Sequence, residues 1–85
     1  MNGISYTDHA ERKFELLKRH GVILSKSMVE RTVKHPEEVV ASLKNRKVAQ
    51  AGLDSRHLLR VIYEERDGNI VIITFYPARR ERYEG

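Results

Sequence analysis

The stretch LLRVIYEERDGNIVIITFY, residues 58–76, joins two apolar runs rich in β-branched residues through Asp67-Gly68. An Asp-Gly pair in that setting is the strongest short-range hairpin signal, because a type I′ turn needs positive φ at both central residues. The sequence therefore predicts a strand over 58–66 and another over 69–76, with Pro77 closing the second. Taking Asp67 and Gly68 as the two loop residues pairs Arg66 with Asn69. It also sets Arg60 opposite Phe75 and Leu59 opposite Tyr76. One face then carries Leu58, Arg60, Ile62, Val71, Ile73 and Phe75. The other carries Leu59, Val61, Tyr63, Ile70, Ile72, Thr74 and Tyr76. Both faces are apolar, as expected of central strands covered on both sides.

Working upstream, 38–43 and 47–53 read as two further strands, with turns at Asn45-Arg46 and at Asp54-Ser55-Arg56. Before Pro36 the period is helical. Thr7 or Asp8 caps a helix to about Arg19 with Ala10, Phe14 and Leu17 on one face, and His20-Gly21 ends it. Ser25 or Ser27 opens a shorter helix that buries Met28, Val29 and Val33, and Pro36 stops it. The expected fold is thus α+β, two N-terminal helices packed on a four-stranded antiparallel sheet, followed by a short charged tail over 78–85. Two helices cover only one sheet face, so the other is expected to meet a second chain in a homodimer or hetero-complex.

Eighty-five residues bound this to one domain, 1–85, with a core too small for a deep cavity. A shallow groove or an open face is the expected kind of site. Cysteine is absent, which excludes a disulfide framework and thiolate metal sites and suits a reducing cytoplasm. The first residues lack an apolar signal segment, and the run 70–73 is far below the roughly 18 residues of a membrane span. A cytoplasmic protein without a membrane partner is expected. High charge with few amides suits a thermophilic source.

The net charge is +4, from 16 basic and 12 acidic residues. Residues 1–43 hold seven basic and six acidic side chains, residues 44–85 nine and six. This excess in the second half, with Arg79, Arg80 and Arg82 crowded together, favours a polyanionic partner such as RNA. A merely solvated polar tail is the plainer reading of the same residues. The four histidines are dispersed and form no ligand cluster, so neither a metal nor another cofactor is expected. There is no phosphate-binding glycine loop and no serine-hydrolase elbow.

The remaining chemistry lies in Arg60, Tyr76, Arg79, Arg80, Arg82 and Tyr83. Arginine clamps phosphate and stabilises charge growing on its oxygens; tyrosine stacks on bases or transfers protons. A metal-free ribonuclease needs little more: a base for the 2′-hydroxyl, cations for the phosphorane-like state, and an acid for the 5′-oxygen. His9 is a further acid–base candidate, or else a residue that caps and packs at the start of the first helix. Lys47, with Arg46, is a candidate phosphate contact or a turn residue. Arg60 interrupts an apolar strand, which is costly unless it is paired or faces a groove. Either an acid such as Asp8, Glu11 or Glu38 holds it, or it serves a ligand.

Lys47-Val48-Ala49-Gln50-Ala51-Gly52-Leu53-Asp54, Leu58-Leu59-Arg60-Val61-Ile62-Tyr63, Asp67-Gly68 and the ending Ala78-Arg79-Arg80-Glu81-Arg82-Tyr83 together resemble RelE-superfamily small toxins of the BrnT type. His20-Gly21-Val22 and His35-Pro36 add to the likeness. His9-Ala10 and Arg19 are similar to the opening helix of a related uncharacterised family of short prokaryotic proteins. An arginine that the BrnT pattern has near Phe75 or Tyr76 is missing here, which moves the match toward that second family. The resemblance implies a RelE-like fold, RNA cleavage or a ribosome-linked activity, and a DNA-binding antitoxin partner. Two readings follow: a toxin or toxin-derived domain acting on RNA without metal, and a non-catalytic module binding nucleic acid or protein.

Overall fold

A computed structural model describes residues 3–83; Met1 and Asn2, and the last two residues of the expected tail, Glu84 and Gly85, lie outside them. The chain runs β1 (Ile4–Tyr6), α1 (Asp8–Arg19), α2 (Lys26–Lys34), β2 (Glu38–Ala41), β3 (Arg46–Gly52), β4 (His57–Arg66), β5 (Asn69–Arg79) and α3 (Arg80–Tyr83). The strands form one sheet in the order β1-β5-β4-β3-β2. The α+β class is as expected, but the sheet is five-stranded and mixed, because β1 adds in parallel to β5. The tail also contributes a third helix.

Local chemistry explains the helix ends. Thr7 Oγ1 accepts the Ala10 N–H at 3.1 Å, making Thr7 the cap of α1. At the other end Gly21 takes φ +83°. Its N–H reaches the Lys18 carbonyl at 3.0 Å, while Val22 N–H reaches that of Leu17 at 2.9 Å, the paired closure of a Schellman motif. Ser25, and not Ser27, caps α2 through Met28 N–H at 3.2 Å.

The Asp67-Gly68 turn forms as expected, with φ of 52° and 81° and Arg66 paired to Asn69. The register then departs from the simple count. Tyr63 pairs with Ile72 but Ile62 with Thr74, so Ile73 is an extra residue in β5. From there on Arg60 stands opposite Tyr76, Leu59 opposite Pro77 and Val61 opposite Phe75. Such a bulge exchanges the faces of every later residue. Thr7 holds it in place: its backbone N–H bonds the Ile72 carbonyl at 3.1 Å and its hydroxyl bonds that of Ile73 at 3.0 Å. Nor does Pro77 close the strand, which runs on to Arg79. Since β1 ends opposite Ile72, the outer edge of β5 is unpaired beyond that point and can hold a residue without an N–H.

The shifted register moves Phe75 to the face of Leu59, Val61, Tyr63 and Ile72, where all five are buried. Ala10, Leu24, Val29 and Val33 join them, with Phe14, Leu17 and Met28 packed alongside. Phe14 and Phe75 meet with ring centroids 4.6 Å apart. Helices α1 and α2 thus cover one face. The opposite face is not the uniformly apolar surface expected: by register it carries Glu38, Gln50, Arg60 and Tyr76 in one row. Among the described residues no helix is long and apolar enough to cross a membrane.

Candidate functional site

That row defines the site. Glu38, Gln50, Arg60 and Tyr76 are direct cross-strand partners on β2, β3, β4 and β5. Alternation on a pleated sheet therefore aims all four to one side. The Arg60 Nε–H donates to Tyr76 Oη at 3.1 Å and Nη1 donates to Gln50 Oε1 at 2.7 Å. Gln50 Nε2 in turn donates to Glu38 Oε1 at 3.3 Å. Gln50 is only 5% exposed, so its amide depends on these partners. Among the described residues Arg60 therefore has no carboxylate of its own; Glu38 is linked to it through Gln50, and neither Asp8 nor Glu11 pairs with it.

The tail completes the arrangement. Helix α3 folds back so that the Tyr83 ring covers Arg60, with the guanidinium carbon 3.9 Å from the ring centroid. This is cation–π distance, and the same carbon is 6.0 Å from the Tyr76 ring. Among the described residues two of the guanidinium N–H groups bond to Tyr76 and Gln50, of the five that an arginine fork carries. Arg82 is exposed and lines a shallow groove of about 250 Å³ with Tyr76, Pro77, Ala78, Arg79 and Tyr83.

The other expected residues are distributed more widely. Arg80 Nε donates to the Asp54 carbonyl at 3.1 Å. Its guanidinium lies over Gly52, where an added Cβ would come within 2.5 Å of Nη2 and 3.0 Å of Glu37 Oε2. Arg79 is exposed and 3.7 Å from Glu81. Lys47 and Arg46 stand at the other end of β3, bonded to Glu65 at 2.9 Å and to Glu64 at 3.1 Å. The Glu65 carboxylate holds the Lys47 ammonium above its usual range. Neither joins the arginine group. His9 bonds Thr74 Oγ1 at 3.1 Å. Thr74 is two residues from Tyr76 on β5, so His9 sits at the rim of the site, roughly 7 Å along the strand.

Reasoning from sequence missed Gln50, and named Glu38 only as a direct ion-pair partner of Arg60. The signal for Gln50 was the polar interruption of the apolar run Val48-Ala49-Gln50-Ala51, in phase with Arg60 once β3 and β4 are paired. It also missed His57, whose Nδ1 lies 2.9 Å from Asp54 Oδ1. Among the described residues no three histidine, aspartate or glutamate side chains converge as metal ligands. Comparison with family models, with curated proteins and with solved structures returned no match.

Proposed function

We propose that the sheet face around Arg60, opposite α1 and α2, binds single-stranded RNA, and that the protein is a RelE/BrnT-like toxin or a domain derived from one. The observation that carries this reading is the Arg60 guanidinium held between Tyr76 and Tyr83 beside an open groove. An arginine set among aromatic rings offers a phosphate contact and stacking planes together, the combination by which proteins hold unpaired bases. Arg82 and Arg79 at the groove add sequence-independent charge. The resemblance in 47–83 agrees with the same partner. A DNA-binding antitoxin, a ribosome-associated target and a homodimer or hetero-complex belong to this reading. The exposed side chains of Val39, Val40 and Leu43 on and after edge strand β2 offer a second chain a place to pair.

Cleavage is a second reading with its own observation. The Tyr76 hydroxyl, 3.1 Å from Arg60 Nε, is a proton carrier next to a cation that would stabilise charge on a phosphorane. Against it, Arg80 turns to the Asp54 carbonyl and Arg79 to Glu81, which leaves Arg82 as the further cation at the groove and favours binding over catalysis. Incubating the protein with a uniformly labelled single-stranded RNA in chelator separates the two. Retarded but intact RNA supports binding alone, fragments ending in 2′,3′-cyclic phosphate support cleavage, and neither outcome rejects both.

A further inference from the structure

At the end of the sheet a cleft of about 460 Å³ is lined by Ser55, Arg56, His57, Arg79, Arg80 and Glu81. The turn before β4 builds one wall. Asp54 Oδ1 accepts the backbone N–H groups of Arg56 and His57, both at 2.8 Å, and the His57 ring Nδ1 at 2.9 Å. These bonds, the Arg56 N–H first, hold the Asp54 carboxyl below its usual range. Asp54 engages the imidazole through Nδ1, so Nε2 is the ring nitrogen left for the cleft. On the neighbouring strand His57 is paired with Arg79. Among the described residues the Arg79 side chain is engaged by a loose 3.7 Å contact to Glu81, which an incoming anion displaces readily.

We infer that this cleft is a second site, for the terminal phosphate of a phosphate monoester, held by Arg56, Arg79 and His57. A monoester is favoured over a chain phosphodiester because its third terminal oxygen lets two arginines and the His57 ring nitrogen each meet one oxygen. The charged groups facing His57 are Asp54 and Arg56 from the turn, Arg79 from β5, and Arg80 and Glu81 from α3. The site shares Arg79 with the groove beside Arg60, but it does not rest on the open-face reading, since Arg56 and His57 lie outside that groove and phosphate alone is the probe.

The experiment is a proton NMR titration of the four histidine rings with inorganic phosphate at constant ionic strength, His57 being assigned with His57→Asn. The expected result is a saturable shift of His57 alone, with His9, His20 and His35 as internal controls. In an Arg56→Ala/Arg79→Ala variant the dissociation constant rises about tenfold or more. The same shift with 5′-phosphorylated RNA, and not with its 5′-hydroxyl counterpart, assigns the site to an RNA end. A shift with adenosine monophosphate alone assigns it to a free nucleotide. A non-saturating shift, one shared by all four histidines, or one unaffected by the arginine substitutions overturns the proposal.

Discussion

Tyr83 lies over Arg60 with 3.9 Å between ring centroid and guanidinium carbon, although the two are separated by a whole hairpin in sequence. Tyr83 is 39% exposed while its ring meets the cation, which suits it to stack on a base as well. Replacing Tyr83 by alanine is expected to weaken single-stranded RNA binding by about 1–3 kcal/mol, roughly 5- to 150-fold. Tyr83→Phe keeps the stacking plane and is expected to stay within about threefold. Fluorescence anisotropy with a labelled oligonucleotide measures both.

The Arg60–Gln50 pair makes a prediction about stability. Arg60→Met leaves the Gln50 carbonyl oxygen without its donor in a nearly buried position, an expected loss of about 1–3 kcal/mol. Gln50→Leu added to it removes the orphan and is expected to recover about half or more of that loss. Urea denaturation of the two single variants and the double variant closes the cycle; simple additivity contradicts the coupling.

Thr7 performs three tasks at once, capping α1 and bonding the carbonyls of Ile72 and Ile73. Thr7→Val preserves the shape but removes both hydroxyl bonds, and is expected to cost about 1–3 kcal/mol. Hydrogen exchange should accelerate first around the bulge. Unchanged protection there would mean that strand pairing alone sets the register.

A pH effect follows from Tyr6, whose hydroxyl donates to Glu30 Oε2 at 2.8 Å. Burial first, and then the Glu30 carboxylate, push the phenol well above its usual range. A group whose pKa is raised by folding contributes stability that is complete below its unfolded pKa, about 10 for tyrosine. That contribution is lost as pH rises from there through the folded pKa. The stability difference between the natural chain and Tyr6→Phe is therefore expected to shrink between pH 9 and pH 11, approximate bounds set around the unfolded value. A difference that stays constant over this interval contradicts the assignment.

Much of the architecture was legible because it rests on local chemistry. Asp67-Gly68 carries its own turn geometry, and Gly21 and Pro36 punctuate the helices. What escaped depends on contacts between distant segments. Three residues, Ile4–Tyr6, are too few to display a strand period, so β1 was invisible. The bulge at Ile73 depends on Thr7, 66 residues away, and no count along the hairpin reveals it. Its neglect placed Phe75 beside Arg60 and made both faces seem apolar. Arg60 itself stood out as a charge inside an apolar strand, and Tyr76 and Tyr83 were named with it. Its partner Gln50, which links it to Glu38, became visible only when the strands were aligned.

The most direct measurement is the salt dependence of single-stranded RNA binding for the natural chain and for an Arg60→Ala/Arg80→Ala/Arg82→Ala variant shown by circular dichroism to remain folded. Binding through this face predicts a linear fall of log affinity with log salt. In the variant, affinity is lower at every salt concentration and the slope shallower by roughly one phosphate contact per arginine that reaches the RNA. Incubation of the same samples at saturating RNA tells whether cleavage disappears with binding held constant. Equal affinity and equal slope in the two proteins, or no RNA binding by the natural chain at low salt, would contradict the RNA-binding role of the Arg60 face.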